Sequence, residues 1–297
     1  MAAPPPVPTP LPPAPAGTLV FVQRGHLALL DLSDDQVTPL TSGTSTEWFP
    51  SCSPKGDKVV YWSNAEGGLY QLWEMDLLGS HQRQQLTFDE TDSLKTADQN
   101  LLVNDSPSWS SDGGKIVYAS GGDIWMMDAD GYNPETLLLG HSALCPVLSP
   151  DGKNLIFISN LNDPVYNVWE LSLSDKSLTQ LTQYTDWNVG SPSFSSDGQK
   201  IIFNLYRANM TQIYTMDADG TNPVNITNST HSLCPKYAQG DRRIVYCFAA
   251  TEDDTLNIYE AAVNGTDIKA LTTDGGTSPS WTPALQSSVL LPTPVGK

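Results

Sequence analysis

The stretch Ser106-Pro-Ser-Trp-Ser-Ser-Asp-Gly-Gly-Lys-Ile-Val-Tyr-Ala-Ser120, followed by Asp123-Ile-Trp-Met-Met-Asp-Ala-Asp-Gly131, decides the fold. It reads as three strands and two turns. Pro-Ser-Trp-Ser is a short strand, and Ser-Asp-Gly-Gly is a hairpin turn whose glycine supplies the positive φ that such turns need. Lys-Ile-Val-Tyr-Ala is a second strand of β-branched and aromatic residues, and Ile-Trp-Met-Met a third. Asp128-Ala-Asp-Gly131 is the next turn, its aspartates able to bond the nearby backbone.

The unit recurs. A proline opens its first strand at Pro50, Pro107, Pro146, Pro192, Pro235 and Pro279, at intervals of roughly 40 to 57 residues. The turn and second strand follow as Ser53-Pro-Lys-Gly-Asp-Lys-Val-Val-Tyr61, Ser149-Pro-Asp-Gly-Lys-Asn-Leu-Ile-Phe157, Ser195-Ser-Asp-Gly-Gln-Lys-Ile-Ile-Phe203 and Ala238-Gln-Gly-Asp-Arg-Arg-Ile-Val-Tyr246. Third strands read Leu72-Trp-Glu-Met75, Val168-Trp-Glu-Leu171, Ile213-Tyr-Thr-Met216 and Ile258-Tyr-Glu-Ala261. A fourth strand closes on Leu86-Thr, Leu181-Thr, Ile226-Thr or Leu271-Thr, with Leu137-Leu in its place in the second unit.

The unit opened by Pro279 lacks its remainder downstream, and Thr18-Leu-Val-Phe-Val22, His26-Leu-Ala-Leu-Leu30 and Gln36-Val-Thr-Pro-Leu-Thr41 supply it from the other end. The segment Ser287-Ser-Val-Leu-Leu291 competes for the second-strand place, but only the N-terminal segment offers three strands in succession. The expected fold is all-β: a six-bladed propeller of four-stranded antiparallel blades, its ring closed by the N-terminal strands completing the last blade. Closure of that kind removes the exposed edges that invite aggregation. The expected domain layout is a proline-rich linker over 1–17, a propeller over 18–283 and a tail over 284–297.

These motifs resemble the TolB-type propeller repeat, roughly P-x-W-S-P-D-G-x-x-I-x-F followed by I-Y-x-M-D-x-D-G and a closing L-T. The resemblance runs over about residues 18–283. It implies the fold more strongly than any function, because the same repeat serves TolB, peptidase propellers and many surface proteins. TolB also carries an N-terminal α/β domain. Here a proline-rich segment stands in that place, so the partners of the cell-envelope Tol–Pal system do not carry over.

Composition narrows the function classes. The chain has 297 residues, with Lys+Arg 15 against Asp+Glu 33 and a net charge of −18. A surface this acidic repels phosphate backbones, which argues against nucleic acid. No apolar run approaches the roughly 20 residues needed to cross a bilayer as a helix. Residues 1–16, Met1-Ala-Ala-Pro-Pro-Pro-Val-Pro-Thr-Pro-Leu-Pro-Pro-Ala-Pro-Ala16, lack the basic and apolar regions of a secretion signal. They read as a polyproline spacer that once continued toward an anchor, and alternatively as a ligand tract for a proline-reading domain.

Loops between blades, together with second-to-third loops within blades, meet on one face of a propeller, where they vary freely on a rigid ring. The candidate partner-binding residues at that channel mouth are Glu47, Trp48, Asp105, His141, Trp187, Asn188 and His231. Aromatics beside polar groups suit a protein or peptide ligand. The connection from Phe88 to Val103 is long enough to suggest a lid or docking loop.

Catalytic patterns are weak. Gly140-His-Ser-Ala-Leu144 begins like a nucleophile elbow but lacks the final glycine and sits where a blade-to-blade loop is expected. Asp128-Ala-Asp-Gly131 and Asp217-Ala-Asp-Gly220 lack the remaining ligands of a calcium loop. No cofactor is expected. If Tyr237 pairs with Ile244, Cys234 faces Cys247; either a disulfide or free buried thiols would suit that position, and free thiols are favoured because cysteine packs well as a small core residue. Five N-x-S/T sequons carry no information in a chain this rich in Asn, Ser and Thr.

The leading functional expectation is a non-catalytic protein- or peptide-binding propeller displayed outside the cytoplasm, in the cell envelope, with a cytoplasmic location as the alternative. Second is a propeller lyase or hydrolase using Glu47, Asp105, His141 and His231. Third is a self-assembling surface subunit that associates through its proline-rich arm.

Overall fold

In the computed structural model, which describes residues 17–65, 68–79, 81–88, 107–227, 229–238, 240–251 and 254–283, every regular element is a β-strand. The strands form six four-stranded antiparallel sheets, the blades of a propeller. The first strands of blades 1 to 6 are Glu47–Cys52, Ser108–Trp109, Leu144–Leu148, Asn188–Phe194, Ser232–Ala238 and Thr277–Pro283. Each packs against the first strands of its neighbours around the ring, including blade 6 against blade 1, so these six strands wall the central channel. Blade 6 draws on both ends of the chain: Thr277–Pro283 pairs with Gly17–Gln23, which pairs with His26–Asp31 and then Gln36–Pro39. Gly17 is thus a strand residue, and it leaves room for the Trp281 indole, whose nearest atom would lie 1.6 Å from any Cβ there.

Second strands are continuous apolar runs because each blade is buried on both faces. Val59, Val60, Tyr61 and Trp62 are all fully buried, as are Leu155, Ile156, Phe157 and Ile158. Alternate residues feed opposite faces: Tyr61 packs with Val20 and Leu27 of blade 6, whereas Trp62 packs with Trp109 and Tyr118 of blade 2. The core is therefore a set of layers between blades, and removing a fully buried aromatic such as Trp62 or Phe157 would cost about 3–5 kcal/mol.

The repeated polar residues pin the turns. Ser110 Oγ donates to Asp112 and accepts the Lys115 amide at 2.8 Å, and Ser149 and Ser195 repeat the arrangement on Asp151 and Asp197. In every blade but the second, the threonine closing the fourth strand reaches back to the third. Thr41, Thr87, Thr182, Thr227 and Thr272 each accept the amide of Leu27, Leu72, Val168, Ile213 and Ile258 respectively, at 2.8–3.0 Å. Asp128 and Asp217 are occupied by Lys115 with Asn133 and by Lys200 with Asn222, which fixes them as turn residues.

One backbone feature departs from the sequence expectation. A β-bulge interrupts the first strand of blades 1, 3, 4, 5 and 6, and the residue before its proline has positive φ: Phe49, Cys145, Ser191, Cys234 and Ser278. Bulges of this kind bend a strand and increase its twist. In blade 5 Tyr237 does pair with Ile244, but the bulge shifts the register so that Cys247 lies opposite Leu233. The Cys234 and Cys247 thiols still touch, buried and free of any disulfide. Burial, then contact with Cys234, holds the Cys247 thiol well above its ordinary range.

Candidate functional site

The channel mouth is built where the blade-to-blade connections meet the second-to-third loops. Trp48, on the first strand of blade 1, is half-buried, packs tilted against Phe49, and donates from Nε1 to the Tyr70 hydroxyl at 3.2 Å. Tyr70 belongs to the neighbouring intra-blade loop and also shares a 2.6 Å hydrogen bond with Thr46. Two loops and a strand thereby hold the indole in place. On the blade 3 to blade 4 connection, Trp187 is half-buried against the core layer containing Val189 and Leu205. Beside it, Asp186 pairs with Arg207 at 2.6 Å, both more than half exposed. Asn188 accepts the Tyr166 amide at 2.9 Å, which ties that loop to blade 3.

Glu47 lies beneath the mouth. It is fully buried, and both oxygens are engaged: Oε2 by Thr41 at 2.7 Å and His26 at 3.1 Å, Oε1 by Ser45 at 2.7 Å and Ser63 at 3.3 Å. Arg83 approaches Oε1 to 3.6 Å, while its guanidinium lies over the Tyr61 and Trp73 rings and donates to the Tyr61 hydroxyl at 2.9 Å. His26 and Thr41 come from blade 6, so Glu47 fastens blade 1 to the blade that joins the chain ends. Its oxygens are committed to the scaffold, a role not legible from local sequence because His26 and Arg83 lie far from Glu47 along the chain.

His141 turns back on its own loop, Nδ1 meeting the Leu139 carbonyl, while its carbonyl accepts the Ser159 hydroxyl. His231 forms a parallel bridge with Thr211. Asp105 lies outside the described residues, as do residues 89–106 of the long connection, residues 1–16 and residues 284–297. No group of three or more His, Cys, Asp or Glu side chains able to hold a metal occurs among the described residues. Ser142, in the elbow-like sequence, sits on the connection between the outer strand of blade 2 and the first strand of blade 3, a loop rather than a strand-to-helix turn. No helix long and apolar enough to cross a membrane occurs among the described residues.

Two features had no counterpart in the sequence reading. A cleft of about 480 Å³ separates the end of blade 1 from blade 2, lined by Leu86, Tyr118, Asp123, Trp125, Met127 and Pro134 among others. Lys236 follows the bulge proline of blade 5 and stands on the channel wall. A comparison of the six equivalent positions would have exposed it, because the other five carry Ser51, Ser108, Val147, Ser193 and Ser280.

A family model described as PD40, TolB beta propeller domain, matches residues 121–291. An uncharacterized protein of Agrobacterium fabrum is 25% identical over 188 residues, 61% of this chain and 58% of that protein. The Tol-Pal system protein TolB of Francisella tularensis subsp. mediasiatica is 28% identical over 146 residues, 48% of this chain and 33% of that protein. This chain thus spans only about a third to three fifths of the curated relatives it matches. The crystal structure of TolB from Acinetobacter baumannii superposes with a TM-score of 0.74 at 20% identity, over 90% of this chain and 67% of that one, a likeness of fold. With more than half of its length matched by the family model and six blades of the corresponding repeat, the chain belongs to the TolB β-propeller domain family.

Proposed function

We propose that this propeller is a non-catalytic docking module, displayed outside the cytoplasm in the cell envelope, that binds a protein or peptide on its channel-mouth face. The carrying observation is the pair of half-buried tryptophans, Trp48 and Trp187, each braced by neighbouring loops and flanked by exposed polar groups such as Asp186 and Arg207. Rigid aromatics with a polar rim are the groups that carry binding energy in protein interfaces. Kinship with a protein named for the Tol-Pal system supports an envelope setting. The candidate catalytic groups lend an enzyme little support: Glu47 is committed to five scaffold partners, and the His141 ring is engaged by the carbonyl of Leu139 in its own loop.

Affinity capture from an envelope fraction of the source organism tests this. The wild-type chain is expected to retain a partner that the Trp48→Ala, Trp187→Ala double variant releases, with each single substitution weakening binding roughly 5- to 30-fold, the range of a 1–2 kcal/mol interface contact. Equal retention by the wild type and the double variant would remove this face from consideration.

A further inference from the structure

Lys236 is set apart within the channel. Among the described residues of the six first strands, only Glu47 and Lys236 carry a charge. Glu47 is consumed by its clasp between blades 6 and 1. Lys236 has no ion-pair or hydrogen-bond partner among the described residues, although the chain carries more than two acidic groups for each basic one. Its neighbour Tyr237 turns between blades 4 and 5, where the hydroxyl meets Thr215 at 2.9 Å. Lys236 lies on the opposite side of that strand.

The first strands wall the channel, and Lys236 stands on the face of its strand turned away from Tyr237 and blade 4. It remains half-buried, enclosed by the ring yet partly accessible from it. Burial holds this amine below the ordinary lysine range, a tension that an anion delivered into the channel would relieve.

We infer that Lys236 is the receiving group for a carboxylate inserted into the channel by the docked partner, carried on an acidic side chain. The inference rests on the channel mouth being the docking face and supplies the partner chemistry that reading lacks. A compact monoanion suits the site better than a phosphate or a polyanion, because the net charge of −18 repels extended negative charge while one desolvated ammonium attracts a localised acceptor. Four of the other five equivalent positions are serines, which add little bulk beside Lys236.

The test uses the full chain with lysine Cε labelled by carbon-13. Lys236→Gln assigns the resonance, and the exposed Lys55 and Lys176 serve as internal controls. The probes are sodium acetate, N-acetyl-Gly-Glu-Gly-amide, its Gln counterpart and sodium chloride, at matched ionic strength. A saturable shift at Lys236 is expected with acetate and the Glu peptide, with at least tenfold weaker response to the Gln peptide and chloride. Movement no larger than that of Lys55 and Lys176 in every arm would overturn the inference. A response to acetate but not to the Glu peptide would overturn insertion of a side chain and leave a small-carboxylate site. The two readings fail separately: a responsive Lys236 in a chain whose partner survives loss of both tryptophans sinks the docking face and spares the carboxylate site.

Discussion

Gly220 and Gly265 show how a single residue can be dictated by its neighbour blade. Both occupy the turn after the third strand with positive φ, +85° and +79°. A Cβ at Gly220 would stand 2.4 Å from the Leu181 carbonyl oxygen, and one at Gly265 would stand 2.0 Å from that of Ile226. The turn of one blade therefore rests on the closing Leu-Thr or Ile-Thr of the blade before it. Gly265→Ala is expected to destabilise the protein by more than about 2 kcal/mol, combining left-handed strain with a backbone clash. Gly152→Ala, also at positive φ but in open space, is expected to cost only about 1 kcal/mol. Urea unfolding midpoints compare the two, and equal shifts would show that the neighbouring carbonyl is irrelevant. The need for glycine in these turns was legible from local chemistry; the contact across blades was not.

Among elements, the Ser-x-Asp-Gly hairpin turn is the most self-contained. Asp151 accepts Ser149 Oγ at 2.7 Å and the Lys153 amide at 3.1 Å. Those bonds, that from Ser149 foremost, lower its carboxyl from the ordinary 3.8 to about 2. Because the folded value is depressed, the stabilisation is present above pH about 4 and is lost as the pH falls from about 4 to 2. Asp175 follows the same course, held at about 2 chiefly by Ser172 and Ser177. Ser149→Ala is expected to return the Asp151 carboxyl toward 3.8, as followed by carbon-13 NMR of its Cγ. An unchanged titration would assign the depression to the Lys153 contacts instead. These turns could be read from the sequence because donor and acceptor lie within five residues. The first-strand bulges could not, since the residue before proline is ordinarily pushed to extended geometry, and here ring packing overrides that preference.

For the whole molecule, the seam of blade 6 joins the two ends of the chain. Gly17 lies directly against the Trp281 indole. Trp281 in turn packs with the layer between blades 5 and 6 that contains Leu19, Phe21 and Val245. Gly17→Val would displace that ring and loosen the pairing of Gly17–Gln23 with Thr277–Pro283. The expected outcome is a fall in Tm of about 2–4 °C for each kcal/mol lost, without loss of the blade signature in far-ultraviolet circular dichroism. An unchanged Tm would mean that the indole finds another seat at no cost. Propeller blades contact mainly their neighbours, so a defect at the seam is expected to weaken the ring while the remaining inter-blade layers persist.

By itself the sequence determined the number of blades, the strands within each, the turn chemistry and the pairing of the first and last segments. All of these follow from local periodicity repeated in register, and local rules suffice where partners lie within one hairpin. Only the tertiary structure decided the state of the site residues. Glu47 is withdrawn into a clasp by His26, Ser63 and Arg83, 16 to 36 residues away on other strands, Trp48 and Trp187 are held by an adjoining loop and a core layer, and Lys236 has no ion-pair or hydrogen-bond partner among the described residues. Burial and charge pairing arise from the superposition of blades, and one repeat carries no information about what its neighbour will bring against it. Ser106-Pro-Ser-Trp-Ser specifies a strand and a turn; what stands opposite its counterparts across the channel is set by the closed ring.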